Sequence, residues 1–389
     1  MLVLADDLSG AVEVAAVLGV PRVTLEARDA AGAVVDLDSR ALEADEAARR
    51  VREVVAAHDG RLVFKKIDSL LRGHVAAEVA ALAAGGHVLV TPALPVEGRT
   101  VRGGVLHVRG VPQPAVRGVE LRDAETDADL DALVAEALAR PNARLAGSAG
   151  LAAALGRRLG AAPLPPPEPS GAPLLVAIGT AAAEEQIERL AAAGVPVIAL
   201  EEAEQEPAAL AAALGAAPAA AAGEAGAGAG EAAPAAAAGE AAPHGARRAA
   251  AGAGAAAPAA APREAAHGAR RAPAMLGAAA PGAGLCEAGV GRRRVIAVRI
   301  PGPVEPALGG ALVRRLAAVV AGAPRVDLVL TGGETARRAL EALGVRELRP
   351  VAQVHHGAVQ CVTPDGRRVT TRPGSFGGPY GLVQIVESV

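Results

Sequence analysis

Leu2-Val-Leu-Ala-Asp-Asp-Leu-Ser-Gly10 sets the grammar of this chain: a short β-prone apolar run, a cluster of carboxylates, hydroxyl and glycine, then a helix predicted from Ala11. The same order recurs along the first ~160 residues. Arg61–Ile67 runs into Asp68–Gly73 and a helix from about His74; His87–Thr91 runs into Pro92–Gly104; Ala143–Ala146 runs into Gly147-Ser-Ala-Gly150 and a helix from Leu151. Alternating strands and helices predict an α/β fold with a mostly parallel sheet. Each polar cluster then falls at the carboxyl end of a strand, where open α/β sheets bind ligands.

Pro163–Pro173 is a stiff, proline-rich linker, and it divides the chain into an N-terminal domain over 1–162 and a C-terminal domain over 174–389. The second α/β pattern starts with a strand over Leu174–Ile178, the turn Gly179-Thr180, a helix from Glu184 to Ala193 and a strand over Val195–Leu200. From Gly215 to Ala274 there is no Val, Ile, Leu, Phe, Tyr or Trp, only an imperfectly repeated Ala/Gly/Pro tract with a few charges. Such a tract cannot bury enough apolar area to offset the entropy of ordering, so 203–290 is expected to be a disordered low-complexity insertion. Order is expected to resume with a strand over Arg293–Ile300, a helix around Pro306–Ala321 and a buried strand over Val326–Thr331. Gly332-Gly-Glu-Thr-Ala336 then starts a helix through Leu343, and Val359–Thr363 with Arg368–Thr371 reads as a late hairpin.

Composition narrows the function classes. The net charge of −3 gives no reason to expect nucleic-acid or membrane binding. Cys286 and Cys361 are too few for a disulfide framework. No signal peptide is read at the start of the chain, and no apolar stretch is long enough to span a bilayer, so a soluble cytoplasmic protein is expected. A small molecule is the expected partner, and a homo-oligomer stays open. Lysine occurs only at Lys65 and Lys66, while every other cationic side chain is arginine. An ammonium is a compact point charge and a guanidinium a rigid fork, so two adjacent lysines beside Asp68, Ser69 and Arg72 mark a site that needs ammonium chemistry rather than stray surface charge.

Other clusters carry chemistry of the same kind. One residue suffices to cap a helix, and Asp6, Asp7 and Ser9 offer three, which favours binding of a substrate hydroxyl or a metal. Lys66, Asp68, Ser69 and Arg72 suit an anionic small molecule, with Arg99 as a further anion contact. Gly179-Thr180, Gly332-Gly-Glu-Thr335 and Gly374-Ser-Phe-Gly377 are glycine and hydroxyl turns able to approach phosphates; each alone reads as an ordinary tight turn, and together they tilt towards a nucleotide site. There is no P-loop and no dinucleotide fingerprint. His355-His356, read on a strand, would point to opposite faces with no ligand cluster nearby, which excludes a structural zinc site. Cys361 reads as buried filler.

Ala5-Asp-Asp-Leu-Ser-Gly-Ala11, Lys65-Lys-Ile-Asp-Ser-Leu-Leu-Arg-Gly73, Pro92–Thr100, Gly147-Ser-Ala-Gly-Leu151, Thr331-Gly-Gly-Glu-Thr-Ala336 and Pro373-Gly-Ser-Phe-Gly377 resemble, in this order, the four-carbon acid sugar kinase family. The resemblance implies an N-terminal domain for the acid sugar and a C-terminal domain for ATP. Carried over by motif, Asp6, Asp7, Lys66, Asp68, Ser69, Arg72 and Arg99 would face the acid sugar, while Thr180, Gly332, Gly333, Glu334, Thr335 and Gly374 would face ATP. Ser9, Glu13 and Thr180 stand where Thr, Asp and Ser are common. The implied function is ATP- and Mg²⁺-dependent phosphorylation of a threonate, erythronate or 3-oxo-tetronate at the 4-hydroxyl. Lys66, Asp68 and Asp7 are the expected catalytic residues, although the choice of hydroxyl-orienting carboxylate among Asp6, Asp7 and Asp68 stays open. The alternative is a non-catalytic sugar-acid-binding or regulatory protein with a degraded ATP domain. No metal ligands are assigned.

Overall fold

A computed structural model of the chain describes residues 1–26, 30–58, 62–84, 86–179, 183–199, 293–299, 326–374 and 376–389, with isolated positions at 214, 313, 316–318, 320, 321 and 323. The expected disordered stretch at 203–290 apart from Leu214, most of the expected helix over 306–321, and Thr180 lie outside the described residues.

The first half runs β1 (Leu2–Ala5), α1 (Leu8–Leu18), β2 (Val23–Thr24), β3 (Val34–Asp36), α2 (Ala44–Ala56), β4 (Val63–Lys66), α3 (Val75–Ala83) and β5 (Val88–Thr91). It continues through β6 (Arg99–Arg102), β7 (Val105–Val108), β8 (Val111–Pro112), α4 (Asp127–Leu138), β9 (Arg144–Gly147) and α5 (Ala149–Leu159). The second half contributes β10 (Leu174–Ile178), α6 (Glu184–Ala192), β11 (Val197–Ala199), β12 (Val295–Arg299), β13 (Asp327–Thr331) and α7 (Gly333–Ala342). It ends with β14 (Glu347–His355), β15 (Ala358–Val362), β16 (Arg368–Arg372) and α8 (Gly381–Ser388).

Strands β2-β3-β1-β4-β9-β5 are parallel throughout, as are β11-β12-β10-β13-β16. The antiparallel hairpin β14–β15 and the antiparallel pair β15–β16 stand between them. The halves share one 13-stranded sheet, because the start of β14 pairs antiparallel with β2 through Glu347↔Thr24 and Leu348↔Val23. A small separate sheet holds β6, β7 and β8. The parallel strands are buried on both faces, which is why β1 and β10 read as unbroken apolar runs rather than alternating ones, and β13 carries such a run between Asp327 and Thr331.

Helix α1 lies where the halves meet. Its sequence is apolar nearly all round, as expected of a helix covered on every side. One flank packs on α5 so tightly that a Cβ on Gly156 would come 2.1 Å from the Val17 carbonyl oxygen. The helix starts at Leu8 rather than Ala11, because the Asp7 side chain caps it by accepting from the Gly10 N–H. A buried ion pair also crosses the halves: Arg337 of α7 donates to Asp36 of β3 at 2.9 Å and to the Leu25 carbonyl at 2.9 Å.

Candidate functional site

Both sets of parallel strands deliver their carboxyl ends to one cleft of about 260 Å³. From the first half, Asp7, Lys66, Asp68, Ser69 and Arg72 line it; from the second, Gly332, Gly333, Glu334, Thr335 and Gly374. In each half the lining comes from the switch point of the strand order, after β1 and β4 on one side and after β10 and β13 on the other. Two of the expected contacts stand behind this lining. Asp6 is buried behind Arg40, and Arg99 reaches the cleft through Ser69, to whose hydroxyl it donates.

The twin lysines divide. Adjacent residues of a strand face opposite sides of the sheet, so only Lys66 enters the cleft. Its ammonium donates to the Ile67 carbonyl at 3.1 Å and lies 2.9 Å from where a Cβ on Gly10 would stand. Lys65 is fully buried on the other side, ion-paired with Glu78 of α3 at 3.1 Å. Ser39 donates to the same Glu78 carboxylate at 2.5 Å.

Arg40, which sequence reasoning missed, organises the carboxylates. Its guanidinium lies 2.7 Å from Asp6, 2.9 Å from Asp7 and 3.7 Å from Asp68. The signal was there: Asp38-Ser-Arg40 is another polar cluster after a strand, but β3 is three residues long and ends in Asp36, too short and too polar to be read as one. Burial pushes the Asp6 carboxyl up, against the pull of Arg40. Burial acts on Asp7 too, but Arg40, Lys66 and the Ser9 hydroxyl outweigh it and hold Asp7 below the usual range. Asp68 is likewise held well below it, despite burial, by the Arg72 fork and by Arg40. Arg72 gives Asp68 two hydrogen bonds, at 2.9 and 2.7 Å, so much of its donor capacity is already engaged.

The glycine turns bring the second half against the first. Gly332 caps α7 with φ 90°, a conformation that side chains rarely adopt. A Cβ on Gly333 would stand 2.1 Å from Oδ2 of Asp7. The Gly332 N–H donates to the Arg372 carbonyl at 3.0 Å, so it is the N–H groups after it, at the start of α7 beside the Asp7 carboxylate, that suit an anion meeting a hydroxyl there.

Two expectations are corrected. Gly147-Ser-Ala-Gly150, read as a ligand-facing cluster, serves packing: Ser148 caps α5 and donates to the Ala93 carbonyl, and a Cβ on Gly150 would stand 2.5 Å from that oxygen. His355-His356 does not lie on one strand, because β14 ends at His355 and His356-Gly357 forms the hairpin turn, with Gly357 at φ 76°. No group of three or more His, Cys, Asp or Glu able to hold a metal ion occurs among the described residues. None of the described helices is long and apolar enough to cross a membrane. Cys361 is fully buried, and burial pushes its thiol far up, in keeping with a packing role.

Comparison with known proteins follows the same division. A model of a sugar-binding N-terminal domain matches residues 1–115 and one of a nucleotide-binding C-terminal domain matches 297–382, together just over half of the chain. A D-threonate kinase of Cupriavidus necator is 36% identical over 248 residues, 46% of this chain; the chain spans 60% of that relative's length. A crystal structure from Salmonella typhimurium LT2 superposes with a TM-score of 0.62 at 16% identity, covering 98% of both chains. The Haemophilus influenzae protein HI1011 superposes at 0.57, also with 16% identity and 98% of both chains, and these two likenesses speak for the fold. With matching domain models on both sides of the cleft and four of the six signature stretches lining it, the chain belongs to the four-carbon acid sugar kinase family.

Proposed function

We propose that this protein is an ATP-dependent kinase of a four-carbon sugar acid, with D-threonate the first candidate and the 4-hydroxyl the acceptor. The observation that carries the reading is the contact of Gly333 with Asp7, which sets a phosphate-type turn of one half against a carboxylate of the other. In this division of labour 1–162 binds the acid sugar, 163–173 links, and 174–389 binds the nucleotide.

Phosphoryl transfer passes through a loose transition state, so positioning and charge neutralisation do most of the catalytic work. Asp7 is the carboxylate we assign to the acceptor hydroxyl. Asp6 stands behind Arg40, and Asp68 is taken up by Arg72 and by the Leu70 and Arg72 N–H groups. As the hydroxyl oxygen bonds to the γ-phosphorus and the bond to the ADP oxygen breaks, the hydroxyl proton passes to Asp7 and on to solvent. Lys66 and Arg40 draw in the acid sugar's carboxylate and offset the charge of the phosphoryl group. The α7 N-terminus with Gly332 and Gly333 holds the phosphates.

The carboxylates lining the cleft are Asp7, Glu13, Asp38, Asp68 and Glu334, and no three of them gather as a metal site among the described residues, which suits a Mg²⁺ that arrives on the nucleotide and keeps most of its waters. The ion supplies charge neutralisation on the phosphates.

The test is ADP formation across threonate, erythronate and 3-oxo-tetronate isomers with Mg²⁺. Turnover with one isomer supports the kinase, whereas acid-sugar binding without ADP formation favours the non-catalytic alternative. Gly333→Ala probes the carrying observation. Its methyl would run into Asp7, which Arg40 and Ser9 hold in place. The thermal stabilisation that ATP·Mg²⁺ gives the wild type is therefore expected to vanish while that from the acid sugar persists; retained nucleotide stabilisation would sink the assignment of this turn.

A further inference from the structure

Helix α1 is apolar except at Ser9 and Glu13. Glu13 is 1% exposed and sits on the cleft wall, yet neither of its carboxyl oxygens has a hydrogen-bond partner. A buried carboxyl without partners is costly unless something else uses it. The Lys66 ammonium lies 3.9 Å from its Oε2, and Nε2 of His356 lies 3.4 Å from its Oε1. His356 Nε2 is itself buried and without a hydrogen bond.

His356 comes from the other half of the chain; it stands beside the cleft lining, meets the site through Glu13, and is held in place. Its ring stacks on Phe376 with centroids 5.6 Å apart and planes at 14°. Arg99 stands 5.0 Å from the centroid of the same Phe376 ring, and a Cβ on Gly357 would strike that ring at 2.5 Å. The imidazole is therefore a placed group, in a turn that only a glycine fits.

We propose that Glu13 and His356 form the hydroxyl-reading end of the acid-sugar subsite, with His356 a specificity-determining residue supplied by the nucleotide-binding half. The inference rests on the acid-sugar reading of the cleft. Burial pushes the Glu13 carboxyl up to about 7, against Lys66, with Asp7, Arg99 and Glu97 as the other charged groups facing it. Burial also lowers the His356 imidazole to about 4, with His355, Arg99, Lys66 and Asp127 acting on it in turn. At neutral pH the pair thus offers a half-protonated carboxyl and an uncharged imidazole, each able to donate and accept. That chemistry matches a secondary hydroxyl. It does not match the substrate's carboxylate, which would meet like charge at Glu13 and which Lys66 and Arg40 attract instead. Of the polar carbons of a tetronate, C2 and C3 remain once the carboxylate and the 4-hydroxyl have been assigned.

The experiment is calorimetric titration, without nucleotide, of D-threonate and its 2-deoxy and 3-deoxy analogues into wild type, His356→Ala and Glu13→Gln, with ATP·Mg²⁺ titrated in parallel. Wild type is expected to prefer D-threonate over one deoxy analogue by roughly 100-fold or more, because a site built for a hydroxyl leaves its polar groups unpaired without it. His356→Ala is expected to erase most of that preference by weakening D-threonate alone, with the analogue and ATP·Mg²⁺ unchanged. Glu13→Gln keeps the shape together with a donor and an acceptor, so it is expected to fold and to retain part of the preference. Equal weakening of D-threonate and both analogues, or no change in either variant, overturns the inference while leaving the kinase reading standing. A wild type that binds no tetronate overturns the acid-sugar reading and this inference together.

Discussion

Asp7→Asn is expected to lower turnover by on the order of 10³-fold, the usual scale for removing a positioned proton acceptor, while acid-sugar binding stays close to wild type. Asparagine keeps the shape and one carbonyl oxygen, so it can still accept from Gly10 at the start of α1, while its NH2 takes the place of the oxygen that accepts from Ser9, whose hydroxyl then turns to accept from it. Arg40 retains Asp6, which it meets at 2.7 Å, so the cluster does not lose its anchor. What goes is the negative charge beside Gly333. The measurement is kcat with KM for both substrates, alongside a thermal melt. Because Asp7 is held below the usual carboxylate range, it stays ionised through neutral pH, and an acidic limb near neutrality in the wild-type profile should survive in this variant. Unchanged kcat would move the hydroxyl-orienting role to Asp68.

The α/β fold was legible because burial on both faces of a parallel strand leaves a plain apolar run, and runs such as Leu174–Ile178 bounded by Gly179 leave little choice of ends. The joining of the two halves into one sheet was not legible. It depends on two residue pairs at the start of β14, and neither Glu347 nor Leu348 carries any mark of its partner. The site was legible where chemistry and local position coincide: Asp7, Lys66, Asp68 and the Gly332-Gly333 turn all reach the cleft. It was hidden where a long side chain travels. Arg40 stands more than thirty residues from Asp6, and nothing near it in sequence says that its fork closes on three carboxylates. His356 has no ligand cluster near it in sequence, and its alliance with Glu13 and Phe376 exists only in three dimensions. Composition, conversely, overstated the lysine pair. Rarity marked both residues equally, and only strand alternation separates them.

That separation gives the second large effect. Lys65→Met is expected to cost about 3–5 kcal/mol of stability, because it leaves Glu78 buried and stripped of its counter-charge. Glu78 is 2% exposed and, among the described residues, would retain only the Ser39 hydroxyl. Lys66→Met, one residue on, is expected to do the reverse: turnover falls at least 100-fold, on the scale of losing one electrostatic contact to the reacting group, while the melt moves little. Equilibrium unfolding in urea and steady-state kinetics on both variants check the pair, and matching behaviour would refute the assignment of opposite faces. The Lys65 arm carries one further consequence. Ser39 immediately precedes Arg40, so the buried pair also steadies the loop that holds the three carboxylates. Replacing both partners, Lys65→Met with Glu78→Leu, removes the unpaired charge, and most of the lost stability is expected to return. Turnover should recover less completely, since the Ser39 anchor is then gone, and that gap between stability and activity measures what the buried pair does for the site.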